Sequence, residues 1–271
     1  MFEKSYNATY IALIPKKTGA KELKDFRPIS LIGSFYKLIS KVLTERLKRV
    51  VDKLVDKQQM AFIKGRQIID AVLIANEAID SRVTQKYPGI LCKLDIEKAY
   101  DHVNWEFILS MLSQMGFGGS WTSWIKFCIS TVKFSILINE SPEGFFNAHR
   151  GIRQGDPLSP FLFIIAMEGL NNMLNIAKIT GRIQGFEVSK VAENSVEITH
   201  LQYVDDTLIF CGAEEEQLLI IRLILVYFEA ISGLHINWNK SHLYPINVVL
   251  EMDHLSQILG GAIGTFFFLK R

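Results

Sequence analysis

His200–Gly212 reads HLQYVDDTLIFCG, two apolar runs around a pair of adjacent aspartates, Asp205 and Asp206. The runs are short and rich in aromatic and branched residues, so they read as two strands joined in a tight hairpin. Turn chemistry accounts for one aspartate, because Asp is a turn former. It does not account for two, and the favoured two-residue hairpin turns take Gly or Asn, neither of which is present. The alternative is a turn that presents paired carboxylates to a metal ion. A metal then calls for a third acidic group at the end of a neighbouring strand.

The stretch GILCKLDI, Gly89–Ile96, supplies one. It is a continuous apolar run after Pro88-Gly89, a buried strand with Asp95 near its end. Two unit charges about 4 Å apart repel by roughly 4 kcal/mol at an effective dielectric near 20, so three carboxylates in a half-buried site need countercharge. The hairpin itself holds no Lys or Arg. Hard divalent cations with oxygen ligands fit, and Mg²⁺ takes one or two carboxylates plus substrate phosphates. Two such ions clamp the attacking and leaving oxygens of an in-line phosphoryl displacement. The geometry required is definite: Asp95 and Asp205 must reach one ion, at metal–oxygen bonds of about 2.1 Å. Glu97 and Asp101 lie close by in sequence and read as solvated or helix N-terminal residues.

Around this centre the chain alternates strands and helices irregularly. ATYIALIPKK, Ala8–Lys17, reads as a strand, and TGAKELKDFRP as loop. From Ser34 to Asp56, apolar residues at steps of three and four predict one amphipathic helix with Ser34 as N-cap. Further helices are predicted from near Gln67, over Trp105–Met115, over Pro160–Ile176 and over Glu214–Ile231. A strand over Thr131–Ile138 is expected to pair with Phe145–Arg150. Hairpins beside helices indicate an α+β fold, with helices on one face of a mostly antiparallel sheet.

The chain has 271 residues, of which 49% are hydrophobic and 21% charged, with net charge +2. That composition excludes a disordered chain and is enough for a sizeable core. The net charge hides an asymmetry. Met1–Arg66 carries fifteen Lys and Arg against six Asp and Glu, a balance of +9, and the remainder carries −7. A basic first quarter suits a polyanion, although solvated lysine-rich helices give the same count. Three cysteines, Cys92, Cys128 and Cys211, form no metal-binding or disulfide pattern and fit a reducing compartment. The first seventeen residues lack the apolar core of a secretion signal, and the longest apolar runs are too short to cross a bilayer. The expectation is an intracellular protein, nuclear or cytoplasmic, with no membrane partner.

Two further segments carry polar chemistry. In GIRQGDPLSP, Gly151–Pro160, two glycines and two prolines force an irregular loop before a buried helix entered at Ser159-Pro160. Arg153, Gln154 and Gly155 suit a close approach to a flat ligand or to backbone. KGRQ, Lys64–Gln67, places Lys64 and Arg66 before a helix, where charge and helix N-terminus hold a phosphate. MGFGGSW, Met115–Trp121, follows a helix and reads as a loop rather than a nucleotide fingerprint.

The order of these motifs resembles the reverse transcriptases of non-LTR (LINE-type) retrotransposons, of the kind common in plants. YVDD matches the Tyr-x-Asp-Asp box, LDIEKAYDHVNW the first catalytic motif, RGIRQGDPLSP the loop-helix motif between them and SGLHINWNKS the motif that follows. NATYIALIPKK, DFRPISL and QMAFIKGRQIIDAV match upstream, so the likeness runs in order from about Asn7 to Ser241. The resemblance implies a right-hand polymerase with fingers over 1–93 and part of 131–150, palm over 94–250 and a truncated tail over 251–271, the thumb largely absent. It implies two Mg²⁺ ions, with Mn²⁺ as substitute, held by Asp95, Asp205, Asp206 and the Ile96 carbonyl. It assigns Tyr100 to exclusion of a ribose 2′-OH, against an ordinary helix-face aromatic. Gln154 and Gly155 would line the nucleotide and template pocket, and Lys64 and Arg66 would grip the triphosphate. Lys240 would be a general acid to the leaving pyrophosphate, against a plain surface lysine. The implied partners are an RNA template, a DNA primer and deoxynucleoside triphosphates.

The box reads Tyr-Val-Asp-Asp where many such elements read Phe-Ala-Asp-Asp, a change that keeps the aromatic and both acids. GTFFFL, Gly264–Leu269, reads as an apolar end with nothing left to pack on it. Two functions compete: an RNA-directed DNA polymerase, and a catalytically impaired relic that at most binds RNA. An RNA-templated RNA polymerase is the third, opposed by the bulk of Tyr100.

Overall fold

The computed structural model describes residues 7–139, 141–188 and 196–265. Among these the strands are β1 (Ala8–Pro15), β2 (Phe26–Ile32), β3 (Gly89–Leu94), β4 (Ile96–Glu97), β5 (Lys133–Ile138), β6 (Ser141–Asn147), β7 (Phe186–Val188), β8 (Val196–Ile198), β9 (His200–Tyr203), β10 (Asp206–Gly212), β11 (His235–Ile236), β12 (His242–Ile246) and β13 (Ala262–Ile263). The helices are α1 (Ser34–Leu47), α2 (Val51–Leu54), α3 (Ile68–Gln85), α4 (Ala99–His102), α5 (Trp105–Gln114), α6 (Gly119–Ser130), α7 (Ser159–Ile179), α8 (Glu215–Ser232) and α9 (Met252–Leu259). The fold is α+β, as the irregular alternation indicates.

The chain forms two compact units, one drawn from Met1–Leu54 and Lys98–Ala166, the other from Val55–Glu97 and Met167–Arg271. The expected boundary at 93/94 falls inside β3, and the units divide the chain along other lines.

In the first unit a four-stranded sheet runs in the order β2-β1-β5-β6. β1 pairs antiparallel with β2 and parallel with β5. The segment read as loop, Thr18–Pro28, thus runs into the start of β2. Its Pro28 is tolerated because β2 is an edge strand, where a missing N–H costs the ladder nothing. β5 pairs with β6, which begins at Ser141 rather than Phe145. The helix expected over 34–56 breaks after Leu47. Arg49, Val50 and Lys53 each donate to the carbonyl three residues back, a tightened turn that keeps Leu47 and Val51 on the buried face. Its N-cap is Gly33, and Ser34 is the first helical residue. The glycine cluster read as a loop opens α6 at Gly119, with Ile125, Cys128 and Ile129 turned inward.

In the second unit a five-stranded sheet runs in the order β13-β12-β3-β10-β9. One face carries Leu91, Leu201, Phe210 and Ile246 into a cluster with Ala71, Ala75, Ala78 and Ile79 of α3 and with Phe186. The opposite face buries Cys92, Leu94, Ile209 and Cys211. α8 buries Leu218, Ile221, Leu225 and Phe228 at steps of three and four, and ends where Gly233 takes φ +73° and donates to Glu229. Residues assigned to the tail form structure here: α9 buries Leu255 and Leu259 against α8, and β13 pairs with β12. Of GTFFFL, the residues after Thr265 lie outside the described ones.

α7 is long and apolar enough to cross a bilayer. Its burial on every side from Phe161 to Asn171 makes it a core helix instead.

Candidate catalytic centre

β3 and β10 pair antiparallel with Leu94 opposite Thr207. One step further along, the same register brings Asp95 level with Asp206. The hairpin carries a correction to the turn. Tyr203 pairs with Asp206, so the two-residue turn is Val204-Asp205 and Asp206 already belongs to β10. Val204, first of the two turn residues, has φ +57°, a value normally given to Gly or Asn.

Asp95 is fixed through its backbone. Its N–H donates to Ser241 Oγ at 3.2 Å, and its carbonyl accepts from Asn237 N–H at 2.8 Å. The Lys240 and Ser241 N–H groups both donate to the Asn237 carbonyl, folding a turn that lays Lys240 Nζ 3.5 Å from Asp95 Oδ2. This turn follows β11, which pairs with β4 immediately after Asp95. SGLHINWNKS therefore serves to bring Lys240 beside the first aspartate. Ladder alternation matters for Ile96. The Asp95–Asn237 bond makes the next pair, Ile96 and Ile236, a non-hydrogen-bonded one. Ile236 N–H accordingly donates to Glu229 Oε1 at 2.6 Å, and β11 leaves the Ile96 carbonyl unclaimed.

Asp205 lies within reach of the charges of both other carboxylates. The Asp205 carboxyl is pushed above the usual range, first by partial burial and then by the charges of Asp206 and Asp95; its own backbone N–H and Lys240 pull the other way. Lys240 alone does not neutralise three acids. Among the described residues no three Asp, Glu, His or Cys side chains converge as a ready metal cage. The donor set still fits a hard dication: carboxylate oxygens, a backbone carbonyl that β11 does not take and a surplus of negative charge.

The hairpin is braced by a residue that sequence reading missed. Gln59 Oε1 accepts from Val204 N–H at 3.2 Å and from Ala61 N–H at 3.0 Å. Gln59 ends the polar run Asp56–Gln59, just before the apolar Met60–Ile63, and its sequence context gave no signal of this role. Arg66 turns inward, donating to the carbonyls of Val55, Asp56 and Gln59. Lys64 is exposed.

Tyr100, Gln154 and Gly155 belong to the first unit. Tyr100 sits on the single turn of α4, its ring stacked on Phe163 at 5.3 Å between centroids. Tyr100 and Gln154 line one cavity of about 200 Å³, with Asp101 and Arg150. Burial pushes the Asp101 carboxyl up, against the nearby charges of His102, Lys98 and Lys16. The Gln154 carbonyl accepts from Ser30 N–H at 2.9 Å. Gly155 has φ +104°, and a Cβ there would lie 3.2 Å from the Ser30 carbonyl. Arg153 does not meet a ligand. It is buried, pairs with Asp156 at 3.0 Å, and donates to Asn7 Oδ1 at 2.7 Å, Thr9 Oγ1 at 3.1 Å and the Cys128 carbonyl at 3.3 Å. Its guanidinium lies 3.7 Å from the Tyr36 ring centroid.

Residues 14–255 match the family model described as reverse transcriptase (RNA-dependent DNA polymerase). A protein of transposon TX1 from Xenopus laevis is 27% identical over 85% of this chain, and the chain spans 17% of its length. The Pol polyprotein of a type-1 retrotransposable element R2 from Popillia japonica is 27% identical over 87% of the chain, which spans 32% of it. A mitochondrial protein of Arabidopsis thaliana is 46% identical over 26% of the chain and 56% of its own length. In structure the chain resembles telomerase from Candida tropicalis, solved in complex with a fragment of telomeric RNA. The TM-score is 0.62 at 12% identity, over 89% of this chain and 41% of that one. That likeness gives the fold, the fingers and palm of a reverse transcriptase. With the aspartates at the ends of paired strands, the motifs in order and the family match over most of its length, the chain belongs to the reverse transcriptase (RNA-dependent DNA polymerase) family, of the non-LTR retrotransposon type.

Proposed function

We propose that this chain is the RNA-directed DNA polymerase portion of a retrotransposon protein, adding deoxynucleotides to a DNA primer on an RNA template. The observation that carries the reading is the meeting of Asp95, Asp205 and Lys240 at one end of the β3–β10 pair, with Asp206 in register beside them. The second unit serves as palm; the first, with its basic α1, serves as fingers. Asp95, Asp205, Asp206 and the Ile96 carbonyl would hold two Mg²⁺ ions, Mn²⁺ substituting. When bound, such ions lower the pKa of an attacking hydroxyl and neutralise charge on the transferring phosphoryl group.

The chain's own residues supply the rest. Asp95 is held by Ser241 and Asn237, so its carboxylate starts from a fixed backbone. Lys240 is placed to donate a proton or a positive charge to the departing pyrophosphate. Tyr100, stacked on Phe163, stands as a rigid wall against a ribose 2′-OH, and Gln154 lines the same cavity. Lys64 remains available to a triphosphate.

Primer extension on an RNA template with Mg²⁺ tests the reading. The chain is expected to extend the primer, and Asp205→Asn to lower the rate at least about a hundredfold. Extension indifferent to that substitution overturns the reading. Salt-sensitive RNA binding with no extension would mark the chain as a binding relic instead.

A further inference from the structure

Glu168 projects from α7 into the interior of the second unit and is 4% exposed. Its Oε2 accepts from the Asp56 N–H at 3.2 Å, and its Oε1 accepts from Asn171 Nδ2 at 2.5 Å. Because the Asn171 amide nitrogen is turned to Glu168, its Oδ1 faces His200 Nε2 at 2.6 Å and must accept. That makes Nε2 the protonated nitrogen of a neutral His200, and leaves Nδ1 to accept from the Thr199 hydroxyl at 3.1 Å. Asn175 joins Asp56 Oδ2 to the same group at 3.1 Å. Arg66 closes the other side of the loop, donating to the carbonyls of Val55, Asp56 and Gln59.

The loop held in this way lies along β9, the edge strand of the palm sheet. Gln202 N–H donates to the Gln58 carbonyl at 2.8 Å and Met60 N–H to the Gln202 carbonyl at 2.9 Å, a short parallel bridge. From the same loop Gln59 Oε1 accepts from Val204 N–H. An unbroken path of hydrogen bonds runs from a buried carboxylate to the strained residue beside Asp205.

We propose that Glu168 is a positioning residue for the catalytic turn: it fixes the loop at Asp56, the loop clasps β9, and Gln59 holds Val204 so that Asp205 is presented in one place. The proposal rests on the polymerase reading only for the word catalytic. Its physical content is a coupling between Glu168 and the turn. The charges facing Glu168 are Asp56 and Arg66, and those facing His200 are Asp56 and Lys178. Burial pushes the Glu168 carboxyl up to about 7, against the two donors that favour its ionised form. Protonation places a hydrogen on an oxygen that now accepts one, so one of the two contacts is weakened as pH falls through that value.

Amide hydrogen exchange on the full chain without substrates tests the coupling. Gln59→Ala is expected to lower protection of the Val204 amide about tenfold, the worth of one hydrogen bond. Glu168→Gln, which has one acceptor oxygen for two donors, is expected to lower it several-fold, and the double variant little further. Full protection in Glu168→Gln, or effects that multiply, overturns the proposal. Should Glu168→Gln not fold, the unsubstituted chain decides. Val204 protection, corrected for intrinsic exchange, must change as pH passes through about 7 while the Leu91 amide stays level; a flat Val204 profile overturns it. Primer extension by the same variants gives a lowered kcat with unchanged KM for nucleotide. A chain that extends no primer at all counts against the polymerase reading and leaves the exchange result standing.

Discussion

Asp205 is costly to the fold in its ionised form, because its carboxyl is pushed up by burial and by two like charges. A carboxyl raised in the folded state contributes stability below its unfolded value, lost as pH rises through the raised one. At neutral pH the charge is therefore a liability. Asp205→Asn is expected to raise the melting temperature while abolishing primer extension; a lower melting temperature would contradict the strain at this site. Val204 is the second strained residue, a β-branched side chain at φ +57°. Left-handed backbone costs such a residue about 1–2 kcal/mol, and Asn tolerates it far better. Val204→Asn should gain up to about 1 kcal/mol in urea denaturation. Lys240→Ala should slow extension with little effect on stability, since the Lys240 end of its pair with Asp95 is largely exposed. The two acids were legible in sequence, and so was the neighbouring strand end that carries Asp95. The turn's register was not, because no Gly or Asn marks it. It is set by Thr207, Ile209 and Cys211, which must face the core and so carry Asp206 into the strand.

Among the elements, the strong helices and central strands follow from periodicity, and those at 105, 160 and 214 lie within a few residues of expectation. The misses have local causes. A proline concealed β2 and glycines concealed the start of α6, because proline is tolerated on an edge strand and glycine at a helix start. Arg153 shows the same limit for side chains. Its motif reads as a close contact with a ligand or with backbone, and of these it makes the second, donating to the Cys128 carbonyl while it fastens β1, α1 and α6 around one buried ion pair. Asp156, its partner, also accepts from the Tyr36 hydroxyl at 2.9 Å, from Ser40 Oγ and from Leu158 N–H at 3.0 Å. Removing one member of a buried pair strands the other. Arg153→Ala should cost about 3–5 kcal/mol in urea denaturation. A loss below about 1 kcal/mol would mean that the pair is solvated.

For the chain taken together, the division into units was not legible, since each unit gathers segments far apart in sequence. The charge asymmetry was: the exposed lysines and arginines of α1 and its continuation lie in the first unit, and Asp95, Asp205 and Asp206 in the second. One molecular property follows from the second unit's buried polar network. Glu168 is raised from 4.5 to about 7, and His200 is lowered from 6.5 to about 4, mainly by burial in both cases. The raised carboxyl gives stability that is present below pH 4.5 and lost as pH rises through about 7. The lowered imidazole gives stability that is present above pH 6.5 and lost as pH falls through about 4. Between about 4.5 and 6.5 unfolding therefore releases a proton from Glu168 and takes one up on His200. The two slopes oppose each other, and together they flatten stability across that window. His200→Gln keeps a donor for Asn171 and removes one of the two slopes. Relative to the unsubstituted chain, this variant should gain on the order of 2–3 kcal/mol as pH falls from 7 to 4.5, because each tenfold change in proton affinity is worth about 1.4 kcal/mol. Urea denaturation of both chains at a series of pH values reads that difference directly. Parallel curves would mean that His200 is protonated on both nitrogens in the folded state, and with it that Nδ1 donates to the Thr199 hydroxyl instead of accepting from it.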